Sequence, residues 1–476
     1  MHDKDLTPEK FKELADKFTR YIAEYFENLP DKPPLAQISP GELKNKLPQS
    51  FPEKGEDLSN IFGDLDDLIM PAMTHWNHPR FMAYFNSTST APGILGEFLA
   101  AAFNVNGMIW KTAPASVELE ETVLNWFRLM LGLSDNFFPI VYDTASISSM
   151  HALAAAREFV FPGKVRTHGM FSLPKSRIYV SEEAHSSIEK AAVALGFGLD
   201  AVRKIPTDEN FAMIPEKLAE AIAEDEKKGI VPVAVVATVG TTSTTAIDPI
   251  PQIAEIIKDK NIWLHVDAAY GGSAAVVKKL RSKITAGWES ADSIVVNPHK
   301  WLFVPIDFSV LFVKHPQTLK AAFSLTPEYL KTDEENVAIN YMDYGLQLGR
   351  RFRALKFWFT LRYFGREGLE KIILRHIALA NDFAEFIRKD DRFELLAPVN
   401  FSVVVFRALP KNENIGINAF NEKLLEGINK SEKLFLSHTK LKEKFTLRLA
   451  VSGVRTFAED VEAAKDIIIE EYEKLK

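Results

Sequence analysis

The sequence predicts an α/β fold built on a mainly parallel sheet, and three observations carry that prediction. From Arg177 to Val313, short apolar runs alternate with segments of helical spacing. Several runs, above all Val233 to Val239 and Ser293 to Val296, are apolar at almost every position, as in strands covered on both faces. Polar residues gather where the runs end or helices start: His185, Thr242, Asp267, and Asn297 to Lys300. In open sheets of this kind ligands sit beyond the carboxyl ends of the strands.

Taken in order, Thr7 to Pro30 has helical apolar spacing, with Pro30, Pro33 and Pro34 ending it. A second helical pattern runs from Leu58 to Ile69. This part is too thin to bury a core and reads as an arm over another surface. Helices are expected at Gly93 to Val105, Ser116 to Leu133 and Ser148 to Phe159, with a short strand at Pro139 to Tyr142. The turn Asp143-Thr144-Ala145-Ser146 opens the third of these helices, where free backbone N–H groups suit an anion. Strands are then expected at Arg177 to Ser181, Ala201 to Ile205, Val233 to Val239, Ile262 to Val266, Ser293 to Val296 and Phe308 to Val313. Pro327 to Tyr341 is polar and poorly periodic, long enough for a flap. A long helical region begins near Leu348, its arginines reading as a solvated or interface face. From Ile377 a smaller α/β unit follows, with strands at Phe401 to Phe406 and Phe445 to Val451. The domains expected are 1–85, 86–376 and 377–476.

Bulk properties narrow the class. A chain of 476 residues with 46% hydrophobic and 25% charged content is an ordinary globular composition with room for two or three domains. A net charge of −7 argues against a nucleic-acid partner, and no apolar run reaches membrane-spanning length. The absence of cysteine excludes disulfides, thiolate metal sites and cysteine nucleophiles. With an acidic, polar start that is unlike a signal peptide, the expected location is cytoplasmic. His75 and His78 are three apart, but no third ligand lies nearby and Pro79 breaks the helix that would align them, so no metal is expected.

The chemistry centres on Asn297-Pro298-His299-Lys300-Trp301. An ammonium at the end of an apolar strand is costly to bury and makes sense as a covalent group. The cofactor that uses such a lysine is pyridoxal phosphate, whose protein partners are a Schiff-base lysine and an acid facing the ring nitrogen. Asp267, ending the preceding strand, supplies the acid.

These residues resemble the group II pyridoxal-phosphate-dependent decarboxylases, in the aromatic-L-amino-acid decarboxylase branch. The resemblance runs from Leu58 to the C-terminus. It is carried by His75-Trp76, Phe81 to Phe85, Ala184 to Ser187, Asn210 to Met213, Gly240 to Thr242, Trp263 to Tyr270, Asn297 to Trp301, Pro327 to Lys331 and Leu348 to Arg353. It implies a fold type I, aspartate-aminotransferase-like homodimer with an N-terminal helical arm, a large cofactor domain, a small C-terminal domain and an active site at the subunit interface. Lys300 is then the Schiff-base lysine, Asp267 the acid at the ring nitrogen and His185 the side chain stacked on the ring. Thr242 approaches the ring hydroxyl, Ala145, Ser146 and Asn297 hold the phosphate, Ala269 lies beside the ring, and His299 sits near the Schiff base. Tyr329, on the flap, protonates the α-carbon. Trp76, Tyr84, Phe85, Ser87, a partner's Met108 and Gly349 shape a substrate pocket for a flat side chain.

Relatives that release aldehydes replace the flap tyrosine or the stacking histidine. Retention of Tyr329 and His185 therefore implies simple decarboxylation of tryptophan, tyrosine, phenylalanine or DOPA. The alternatives are a glutamate or other small-acid decarboxylase and an aromatic aldehyde synthase.

Overall fold

Burial on both faces explains why the strands look uniformly apolar in the sequence. The computed structural model describes residues 5–325, 334, 337–411 and 416–475. Its large sheet comprises β1 (Phe138–Tyr142), β2 (Ser176–Ser181), β3 (Val202–Ile205), β4 (Val231–Thr238), β5 (Trp263–Asp267), β6 (Ser293–Val296) and β7 (Ser309–Val313), in the order β1-β7-β6-β5-β4-β2-β3. In β4, Ala234 and Val236 enter the core on one face while Val235 and Ala237 enter the core on the other. With helices on both sides, neither face keeps a polar row.

β3, β2, β4, β5 and β6 pair in parallel, and β7 runs antiparallel to both β6 and β1. Two reversals leave β1 parallel to β6. One edge therefore gathers the ends of β1, β2, β4, β5 and β6 and the start of β7. Glycines let neighbouring turns close over that edge. Gly240 has φ +91°, and a Cβ on Gly271 would stand 2.5 Å from the Val239 carbonyl oxygen.

The smaller sheet is antiparallel: β8 (Phe393–Leu395), β9 (Val403–Ala408), β10 (Ser437–Leu441) and β11 (Lys444–Ala450), ordered β10-β11-β9-β8. Helices Ile417–Lys430 and Ala458–Lys474 cover it. A helix over Ala354–Lys389, kinked at Gly365, gives Leu369 and Ile373 to the large core and Ala380, Phe383, Ala384 and Ile387 to the small one. Among the described residues no helix is long and apolar enough to cross a membrane.

The long helix starts at Ala354 rather than near Leu348, and the arginines before it are not a solvated face. Arg350 is buried, donating from Nη2 to Glu120 Oε1 (2.7 Å) and from Nη1 to Oε2 (3.1 Å), with Tyr341 4.5 Å from its guanidinium carbon. Arg353 is buried against Asp307. Arg351 alone of the three stays exposed. Removing one partner of a buried pair strands the other charge, so Glu120→Ala should cost about 3–5 kcal/mol, read as a lower denaturant midpoint at unchanged slope.

The N-terminal helix, Pro8–Glu27, is capped by Thr7, whose Oγ1 accepts from Lys10 N–H. It buries Leu14 and leaves Phe11, Phe18 and Ile22 exposed. His75 and His78 are spent on packing. Tyr25 Oη lies 3.1 Å from His75 Nδ1, and Arg80 N–H donates to His78 Nδ1 at 2.9 Å.

Burial lowers the basicity of several histidines far below the ordinary range: His78, His151 and His265 to about 4, His376 to about 3. A histidine held neutral in the folded state adds stability above its unfolded pKa and loses it as pH falls toward the folded one. The midpoint of thermal unfolding should therefore drop steeply between about pH 6.5 and 4. A flat profile across that range would contradict these assignments.

Candidate active site

At the gathered strand ends lies a cavity of about 500 Å³. Its lining includes Trp76, Phe85, Ser87, Ala145, Ser146, His185, Thr242, Asp267, Ala269, Asn297, His299 and Lys300, twelve side chains expected from the sequence. Lys300 follows β6 on the short helix Pro298–Trp301, its backbone N–H bonded to the Asn297 carbonyl. Burial pulls its ammonium below the usual lysine range; Asp267 opposes that shift and Arg448 adds to it. Asp267 ends β5, where Oδ1 accepts from Ala269 N–H at 3.1 Å. Lysine and aspartate thus face one cavity from adjacent strands, as a ring spanning them requires.

His185 stands where helix Ser187–Ala194 begins. Its Nδ1 accepts from Ser187 N–H (3.2 Å) and lies 2.9 Å from Ser187 Oγ, which fixes the ring at the cavity's edge. Partial burial lowers its basicity, Asp267 counteracts, and Lys300 contributes to the lowering. Opposite, three rings form a stack: Phe85 on Tyr270 (3.8 Å) and Tyr270 on Trp301 (4.7 Å). The polar ends of the last two are tied down, Tyr270 Oη to Ser402 Oγ and Trp301 Nε1 to His376 Nδ1.

Not every expected residue lies here. Tyr84, at φ +54°, turns its half-exposed ring outward onto Trp76 at 5.9 Å instead of into the cavity. Met108 packs near Ile109 and Met342, and Gly349 borders a separate surface hollow with Asn104 and Asn106, so neither reaches the cavity of its own chain. The expected flap, Tyr329 included, falls mostly outside the described residues.

Other residues were missed. Thr238, at the end of β4, lines the cavity with a buried Oγ1 that has no partner among the described residues. Ile306 lines its mouth. Arg448, on β11, lies 4.6 Å over the Phe85 ring and donates from Nη1 to the Tyr84 carbonyl, while its buried Nε and Nη2 have no partner among the described residues. A threonine ending an apolar strand was a usable signal. An arginine from a distant strand gave none.

The donor set fits an anionic aldehyde cofactor. A buried amine of lowered basicity meets the aldehyde, a carboxylate meets a basic ring nitrogen, and the unpaired N–H groups of the first turn of helix Ala145–Val160 meet a phosphate. Asn297 Oδ1 and Thr238 Oγ1, without partners among the described residues, belong to the same lining. Fold and site together define a class, the α/β enzymes that carry pyridoxal phosphate on a lysine.

The profile of the pyridoxal-dependent decarboxylase conserved domain matches residues 40–409. Tryptophan decarboxylase 2 of Oryza sativa subsp. japonica is 38% identical, covering 98% of this chain and 95% of that protein. A phenylacetaldehyde synthase of Arabidopsis thaliana is 39% identical, covering 98% and 97%. The crystal structure of Oryza sativa TDC with PLP and tryptamine superposes with a TM-score of 0.95 at 32% identity, covering 99% of each chain. The chain belongs to the pyridoxal-dependent decarboxylase family and is a pyridoxal-phosphate-dependent carboxy-lyase.

Proposed function

We propose that the protein decarboxylates aromatic L-amino acids, among them tryptophan, tyrosine, phenylalanine and DOPA, to arylalkylamines and CO₂. The observation that carries this reading is an aromatic wall, Trp76, Phe85 and Tyr270, around the cavity that holds Lys300 and Asp267. Bound pyridoxal phosphate supplies an electron-accepting ring for the pair left when CO₂ departs. Lys300 would hold the cofactor through its buried amine. Asp267 keeps the ring nitrogen charged. His185 covers one face of the ring, and the first turn of helix Ala145–Val160 with Asn297 anchors the phosphate. Trp76 and Phe85 take the flat side chain. Tyr329 returns a proton to the α-carbon.

The similarity to a phenylacetaldehyde synthase makes the aldehyde outcome the second reading. Tyr329 and His185 favour the amine. The test is kcat/KM for the four aromatic substrates and glutamate, with CO₂, peroxide and ammonia measured together. We expect aromatic turnover with CO₂ and no peroxide. A preference for glutamate would end the aromatic reading, and peroxide and ammonia equimolar with CO₂ would establish the aldehyde synthase.

The same proposal includes a cytoplasmic homodimer. Supporting it, exposed Phe11 stacks on exposed Phe98 (6.5 Å), and exposed Leu95 and Phe103 extend that apolar face. A second copy covering it would bring Met108 and Gly349 toward the neighbouring cavity. Sedimentation of the holoenzyme at the mass of one chain would refute the dimer.

A further inference from the structure

The ring of His299 is buried beside the cofactor lysine, and its two nitrogens are not equivalent. Nδ1 accepts a hydrogen bond from the Phe308 backbone N–H at 2.8 Å, and the His299 backbone N–H donates in return to the Phe308 carbonyl at 3.3 Å. An amide N–H can only donate, so Nδ1 carries no proton and the neutral ring bears it on Nε2. Nε2 lies 3.3 Å from Asn297 Nδ2, which sets two donors face to face, while Asn297 Oδ1 is buried without a partner among the described residues. Rotating that amide by half a turn removes the conflict. Oδ1 then accepts from Nε2–H, and the amide N–H is left to a ligand in the cavity that both residues line.

Phe308 is held from both sides. Asp307 before it accepts from Arg353 Nε at 2.8 Å and Nη2 at 3.3 Å, and the Phe308 ring is buried 4.7 Å from Phe357. The charged groups that act on the imidazole are Lys300 from its own turn, Asp307 from the start of β7 and Lys356 from the long helix. Burial outweighs them all and lowers its basicity to about 3.

We infer that His299 serves as a permanently neutral hydrogen-bond donor through Nε2–H, and that Phe308 with the Asp307–Arg353 pair are positioning residues that hold it in that tautomer. It then neither takes nor gives a proton during turnover. Its Nε2–H holds Asn297 Oδ1, which turns the Asn297 amide N–H toward an acceptor oxygen in the cavity, on the substrate carboxylate or on the cofactor, and proton transfers fall to other groups. The inference deepens the decarboxylase reading and rests on it only for the identity of the acceptor.

The test is ¹⁵N NMR of the holoenzyme labelled in its histidine rings, with His299 assigned by its loss in His299→Gln. We expect an unprotonated Nδ1 and a protonated Nε2, unchanged as pH is varied across the ordinary range for histidine. A protonated Nδ1, or titration in that range, overturns the inference. A neutron structure of the unmodified holoenzyme reads the same proton if His299→Gln does not fold. In Asp307→Asn we expect a second tautomer in exchange and a kcat lower on the order of tenfold, with KM within about twofold, partly restored by Asp307→Glu. An undisturbed tautomer in Asp307→Asn refutes the positioning role. Either failure would leave CO₂ release from the aromatic substrates intact, whereas failure of the decarboxylase reading removes or redirects that turnover and leaves the His299 tautomer as found.

Discussion

Lys300→Ala protein should fold, lose the visible absorption of its bound cofactor and lose turnover by at least about 10³-fold. The substitution removes a buried cation, which the folded state gains little from holding, so the structure has no reason to fail. What disappears is, among the described residues, the only lysine in the cavity lining. Without its amine the cofactor is neither tethered nor handed to the substrate by exchange between two amines. Adding free cofactor in excess should restore occupancy in part and rate hardly at all. Full activity under those conditions would show that the lysine is not the covalent group.

The second large effect is expected for Asp267→Asn. Asparagine keeps the shape at the end of β5 and the hydrogen bond to the Ala269 N–H, but it cannot stabilise a positive ring nitrogen. The ring then becomes a weaker acceptor for the electrons left behind by CO₂, and kcat should fall by roughly 10²–10³-fold. The size of this loss is separable from misplacement. An N-methylated cofactor, whose ring carries a permanent charge, should recover part of the rate in the variant. No recovery would mean that Asp267 only places the ring. The opposing effects of Asp267 on Lys300 and His185 predict a further sign. Once the carboxylate is gone, both groups should hold their protons less firmly than in the unaltered protein.

Much of this site was legible because its groups are local to strand ends. A lysine or aspartate that closes an apolar run has few structural reasons to be there, and the period of the runs already placed both at one edge. Elements with weak patterns were harder. β8 is three residues long, and β10 reads Ser-His-Thr-Lys-Leu, with no apolar alternation to mark it. Phe401 to Phe406 read as the strand, whereas the ladder spans Val403–Ala408, since pairing with β11 and β8 sets the register rather than the first aromatic. Arg350 looked solvated because sequence shows a charge and not its partner, and Glu120 lies 230 positions away. Arg448 was invisible for the same reason. Tyr84 was misjudged because its left-handed backbone, which sends the ring outward, is not a property of its residue type.

The helix Ala354–Lys389 has a consequence for how the molecule comes apart. One rod is embedded in two interiors, with Ile373 in one and Ala380 in the other, two helical turns apart. Neither half owns a complete interior of its own, so loosening either frays the stem that the other is built around. Heating should melt both in concert. A protease that cuts between them would release fragments with exposed grease, not two stable pieces.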